Sequence, residues 1–363
     1  MKAVTIPPHS SALAITKTCI YKTIGNVSIL IDVYLPSAVD VARPPIMLYI
    51  HGGGWTGANR THYPRPLFDH FLCLGFIVTS MDFRLLPETD IDGQMEDVRD
   101  AEPWLRNDLA LEVKEYFSNV QGDKVIVVGG SAGAHLALLT PKLWTIQPTG
   151  ILSLYGPTDM NSLPALHSDR LAKIILPSCT SEILAAGTNF DQPPTQFAVT
   201  TKPEDYRRPR SVMILTVFRK GMLKEYLLRG LIRSDDGKLK FPGKDSVTKE
   251  ELDKISPIEL CKHTKFPPTY QVMGAKDDVF EVSHAIKFHK ALGTLGSNRQ
   301  TMILFEAGHA FDIGAEVGGK LHEKVIGPAV EWVAQFAGVK PPVATSKWGK
   351  AGDISELGFV LEK

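Results

Sequence analysis

Residues 124–136, Lys124-Val125-Ile126-Val127-Val128-Gly129-Gly130-Ser131-Ala132-Gly133-Ala134-His135-Leu136, decide the fold. The β-branched run Val125 to Val128 predicts a buried strand, and Ala132 to Thr140 predicts a helix. Only Gly129-Gly130-Ser131 is left to make the turn. A strand that meets a helix through so tight a turn projects the central side chain away from both. The positions two before and two after must then carry almost no side chain, or strand and helix collide. Gly129 and Gly133 occupy them, and Gly130 and Ala132 are small as well. The pattern is Gly-x-Ser-x-Gly, which presents a serine hydroxyl at a strand end. The competing reading is a serine N-cap after a glycine-rich loop, and the rest of the chain has to decide between them.

Outward from this stretch, strands and helices alternate. Thr16 to Ile24 and Val27 to Leu35 predict a hairpin turning at Gly25-Asn26. A strand at 46–50 runs into His51-Gly52-Gly53-Gly54-Trp55. A helix at 68–74, a strand at 76–81, a loop at 82–88 and a helix at 94–105 follow, with Pro103 expected to kink or trim that helix. Beyond the serine come strands at 151–155, 269–273 and 301–305, and helices at 285–292 and 321–336. Such alternation predicts an α/β fold, a mostly parallel twisted sheet with helices on both faces. Residues 160–265 break the alternation and read as an inserted cap. They are rich in proline early and then offer one amphipathic helix, Ser211 to Arg233, with Leu215, Phe218, Met222 and Tyr226 on one face. The expected organisation is a core at 1–159 plus 266–340, a cap at 160–265 and a polar tail at 341–363.

Composition narrows the function. The chain has 363 residues, 44% hydrophobic, with 40 basic and 40 acidic side chains. That balance, without a basic run, gives no reason to expect a nucleic-acid partner. Cys19, Cys73, Cys179 and Cys261 are scattered, which argues for free thiols rather than disulfides or a zinc site. No apolar run approaches the ~20 residues of a membrane span, and no signal peptide is recognisable, so a cytoplasmic protein is expected. Neither a metal nor an organic cofactor is implied.

A serine hydroxyl is a poor nucleophile unless a base takes its proton and a third group orients that base. His309, in Gly308-His309-Ala310-Phe311, lies just past the strand at 301–305 and is the expected base. His284, His289 and His322 fall in or beside helices, and His135 lies on the helix after Ser131. Asp277 follows Gly274 by three residues in the loop after the preceding strand and is the expected orienting carboxylate. The adjacent Asp278 is the alternative, or else caps the next helix. For the oxyanion, the N–H groups of Gly53, Gly54 and Ala132 are the candidate donors. His51 reads as a structural anchor. Trp55, Tyr155, Phe311, Phe218 and Met222 are the candidate pocket-lining residues and suggest an apolar acyl substrate.

These stretches together resemble the hormone-sensitive-lipase-like branch of the α/β-hydrolase fold. His51 to Trp55 resembles its HGGG signature, and Asp82-Phe83-Arg84-Leu85-Leu86-Pro87-Glu88 its D-Y-R-L-A-P-E loop. Asp97-Val98 with Trp104-Leu105 resembles its D-V…W-L helix, Gly129 to Gly133 its serine turn and Gly308 to Phe311 its G-H-x-F. The chain also looks similar to hydrolases of fungal secondary metabolism. The resemblance implies a Ser-His-Asp carboxylesterase acting through an acyl-enzyme. The same site also suits amide hydrolysis, acyl transfer, or a cyclisation or condensation. A third reading is a non-catalytic ligand-binding protein, although the receptors of this branch lack the histidine that is present here. No motif specifies the substrate or the oligomeric state.

Overall fold

The computed structural model describes residues 13–36, 42–163, 174–198, 203–339 and 356–362. Its strands are β1 Lys17–Ile24, β2 Val27–Tyr34, β3 Pro45–Ile50, β4 Ile77–Met81, β5 Gln121–Gly130, β6 Gly150–Leu154, β7 Ile232–Arg233, β8 Leu239–Lys240, β9 Thr269–Gly274, β10 Arg299–Leu304 and β11 Gly358–Leu361. Nine of them form one sheet in the order β1-β2-β4-β3-β5-β6-β9-β10-β11, and β7 and β8 form a separate ribbon. From β4 through β10 every neighbouring pair is parallel, while β1/β2, β2/β4 and β10/β11 are antiparallel.

The central strands β3, β4, β6 and β9 are buried at every residue, whereas β1 alternates towards solvent at the edge. Helices on both faces account for the difference, because a sandwiched strand has no wet side. Register aligns the carboxyl ends. Ile50 pairs with Gly129, Gly130 with Leu154, and Leu304 with Gly274. The loops after β3, β5, β6, β9 and β10 therefore leave from one edge of the sheet, where parallel α/β sheets place their sites.

The first four helices are α1 Arg65–Cys73, α2 Ile91–Pro103, α3 Leu109–Glu112 and α4 Ala132–Leu143, and α4 starts directly after Ser131 and is buried from Ala132 through Pro141. Helix α2, Ile91–Pro103, is N-capped by the Asp90 side chain on Gly93 N–H and ends at Pro103. A wide π turn over Trp104–Asp108 then carries the chain onward instead of breaking it. Among the described residues no helix is long and apolar enough to cross a membrane.

Two expectations need correction. The stretch 211–233 is not one helix: Pro209–Lys220 ends at Gly221, and Leu223–Arg229 follows. Gly221 sits at φ 62°, where glycine adopts the left-handed conformation without a Cβ penalty and turns the chain. The second concerns the tail at 341–363, within which residues 358–361 form β11 and extend the sheet beside β10. Its apolar Phe359-Val360-Leu361 carries that strand, and a Cβ on Gly358 would stand 1.9 Å from the Ile303 carbonyl oxygen. Three apolar residues behind a long polar stretch are too weak a pattern to announce a strand.

The serine turn is packed backbone against backbone. A Cβ on Gly133 would lie 2.0 Å from the Ile50 carbonyl oxygen and 2.4 Å from that of His51. Gly133→Ala is expected to cost roughly 2–3 kcal/mol, as forced overpacking against backbone does. Urea denaturation would show this as a lowered midpoint, and an unchanged midpoint would contradict the packing.

Candidate active site

Ser131 has φ 55° and ψ −123°, a conformation that non-glycine residues avoid. Its N–H donates to Leu154 O at 2.9 Å, and its carbonyl accepts from His135 N–H at 3.1 Å. The surroundings hold the strain in place. A Cβ on Gly129 would meet Gly133 O at 2.3 Å, and one on Gly52 would meet Gly130 O at 2.9 Å. Side chains at these positions would prise β5, α4 and the loop after β3 apart.

His309 Nε2 lies 2.9 Å from Ser131 Oγ. Its Nδ1 lies 2.9 Å from Asp277 Oδ2 and 3.1 Å from Oδ1. An ionised carboxylate only accepts, so Nδ1 carries the proton and Nε2 is left to accept from the serine hydroxyl. The Asp277 carboxylate is completely buried, and its Oδ1 also accepts from the N–H groups of Val279 and Phe280, each at 2.9 Å. Those two bonds fix the carboxylate before it meets the imidazole. The rings of Tyr155 and Phe280 stand edge-on to His309 at 5.0 and 5.5 Å. The structure thus brings together Ser131, His309 and Asp277, each from a different strand end.

Gly53 and Gly54 have φ of 95° and 62° and border the same cavity as Ser131. The turn is closed by Thr56 and Gly57 N–H groups on Gly53 O, at 3.2 and 3.0 Å. Among the described hydrogen bonds, none is donated by the N–H of Gly53, Gly54 or Ala132. His51 is buried, stacks on Phe83 at 4.3 Å and points Nδ1 at Gly52 O. Burial lowers its pKa to about 3, so it is neutral at any physiological pH.

A cavity of about 720 Å³ opens above Ser131. Tyr155 and Phe218 line it, as the sequence suggests, together with Phe197, Ile214 and Leu215. Three sequence-derived candidates are not among its lining residues. Trp55, at φ 60°, is fully buried beneath the loop, with its indole N–H donating to His135 Nδ1 at 3.3 Å. Met222 lies past the break at Gly221 and is buried, so it no longer shares a face with Phe218. Phe311 packs edge-on against Tyr155 at 5.3 Å. For Trp55 and Met222 the direction of a turn decides, and a helical or strand-end pattern does not encode it.

Sequence reasoning also missed Arg210. Its guanidinium makes a two-pronged bond to Glu88, at 2.8 and 2.9 Å, and bonds Thr56 O at 2.9 Å and Gly187 O at 3.1 Å. The Glu88 side chain has no exposure and that of Arg210 5%, so the pair clamps the helix Pro209–Lys220 onto the loops beside the candidate oxyanion site. The partners are 122 residues apart, and nothing local in the sequence announces them.

Esterases and polyketide synthases recur in comparisons with known proteins. The BD-FAE family model, an α/β-hydrolase esterase family, matches residues 31–188. Apo esterase 2 of Thermogutta terrifontis superposes with a TM-score of 0.56 at 18% identity, covering 93% of this chain and all of its own. A Staphylococcus aureus protein of unknown function reaches 0.60 at 16% identity, covering 88% of this chain and 99% of its own. The fold is that of the α/β-hydrolases. By sequence, the chain is 30% identical over 335 residues to non-reducing polyketide synthase Preu6 of Preussia isomera. It is 32% identical over 305 residues to non-reducing polyketide synthase atr1 of Stereocaulon alpinum. These alignments take in 88% and 77% of this chain but only 15% and 11% of the two synthases.

Removing one partner of a buried ion pair strands the other charge, which costs about 3–5 kcal/mol. Arg210→Ala is therefore expected to lower stability by that order in chemical denaturation. A change below about 1 kcal/mol would show that the clamp carries little.

Proposed function

We propose that this α/β-hydrolase is a serine hydrolase that cleaves a carboxylic ester of an apolar small molecule through an acyl-enzyme. One observation carries the reading: a single imidazole bonds the Ser131 hydroxyl through Nε2 and the buried Asp277 carboxylate through Nδ1. His309 takes the hydroxyl proton as Ser131 Oγ attacks the ester carbonyl. Asp277 holds the ring and supports the imidazolium. The N–H groups of Gly53, Gly54 and Ala132 receive the oxyanion, with the start of α4 adding its dipole. His309 returns the proton to the leaving alcohol. Water, activated by the same imidazole, then releases the acid.

The apolar walls supplied by Phe197, Ile214, Leu215 and Phe218 support an apolar acyl group. The similarity to part of the non-reducing polyketide synthases favours a second reading of the final step. There the acyl group is polyketide-like, and an alcohol, an amine or an internal nucleophile takes the place of water, giving transfer or cyclisation. Product analysis with and without an acceptor alcohol separates the two.

Ser131→Ala is expected to abolish turnover of p-nitrophenyl butyrate, and retained turnover would overturn the assignment. Asp277→Asn, which leaves the imidazole in the wrong tautomer, is expected to lower kcat by ~10⁴. Asp278→Asn is expected to stay within about threefold of the unaltered protein, and a large loss there instead would reassign the carboxylate.

A further inference from the structure

Asp312, three residues past His309 on the loop leaving β10, is fully buried. Its Oδ1 accepts the Tyr155 hydroxyl at 2.6 Å, while Oδ2 is buried with no hydrogen-bond partner among the described residues. Tyr155 reaches it from the end of β6 with its backbone at φ 44°, which an aromatic residue holds only where its surroundings fix it. The same ring stands edge-on to the His309 imidazole and lines the cavity. The titratable groups facing Asp312 are Tyr155 from β6, Tyr49 from β3 and His309 on its own loop. Asp277, in the loop after β9, is bonded to Nδ1 of that histidine. Burial pushes the Asp312 carboxyl up to about 6, against the downward pull of the Tyr155 hydrogen bond. The group is therefore mostly ionised at pH 7 and above.

A carboxylate with one bare oxygen in a buried site projects its field on its neighbours. His309 is the nearby group that gains a positive charge during the reaction. We propose that Tyr155 and Asp312 are a positioning pair for His309: their hydrogen bond locks the base-bearing loop against the end of β6, and the Asp312 carboxylate supports the imidazolium formed when His309 takes the serine proton. The pair rests on His309 being the base, and it is distinct from Asp277, which holds the ring directly.

The test is the pH dependence of p-nitrophenyl butyrate hydrolysis for the full chain, Asp312→Asn, Tyr155→Phe and the double variant. A fluorophosphonate is applied first. If it fails to label Ser131 in the unaltered chain, the serine-hydrolase reading has failed, whatever the pair does. With labelling intact, removing the negative charge destabilises the imidazolium. The acid limb of kcat/KM for Asp312→Asn is then expected to move to lower pH by roughly half a unit. The expected loss in kcat is about tenfold with KM within about twofold, and the double variant loses no more than the worse single one, as for groups acting together. Tyr155→Phe removes only the hydroxyl and is expected to lower kcat about fivefold, which supplies a reading even if Asp312→Asn does not fold. An unmoved acid limb with kcat within twofold, or losses that multiply in the double variant, would overturn the proposal.

Discussion

The contact between the start of α4 and the end of β3 governs the arrangement of the site. Gly133 lies so close to the Ile50 and His51 carbonyls that no side chain fits between them. That approach permits the abrupt passage from β5 into α4 and forces Ser131 into its strained backbone conformation. It also brings the glycines after β3 within reach of the serine. The placement of Ser131, of the helix N-terminus and of the neighbouring glycine loop shares one cause, the absence of Cβ atoms at a few positions.

Strain gathers at the same edge of the sheet. Trp55, Ser131, Tyr155 and Ala310 all have positive φ, and they stand on the loops after β3, β5, β6 and β10. Backbone strain of this kind persists only where the surroundings over-determine it. Here the parallel register supplies the rigidity, since it ends adjacent strands at matched positions. Asp277 adds a second source of order by binding two N–H groups of its own loop as well as the imidazole.

Much of the fold was legible because its signals are local. Buried β-branched runs, short turns and the alternation of strands with helices predict a parallel sheet, and the sheet is mostly parallel. The order Ser131, Asp277, His309 was legible for a related reason: each candidate directly follows a strand. Asp277 and Asp278 could be ranked only by spacing. What escaped was decided by turns and by distant partners. Gly221 redirects the chain after Lys220 and takes Met222 from the cavity, and the loop after β3 rotates Trp55 inward. Arg210 finds Glu88 across the fold, and β11 forms from a few apolar residues near the chain end. The cavity wall that comes from residues 197–218 is correspondingly the part of the site least readable in sequence.

Whether Ser131 is the nucleophile is the question on which the functional reading stands. The direct measurement is intact-mass and peptide mapping of the full chain after reaction with a fluorophosphonate. A single adduct on the peptide containing Ser131, absent from Ser131→Ala and greatly slowed in His309→Ala, is the expected result. No adduct, or one on another residue that survives in Ser131→Ala, would contradict it.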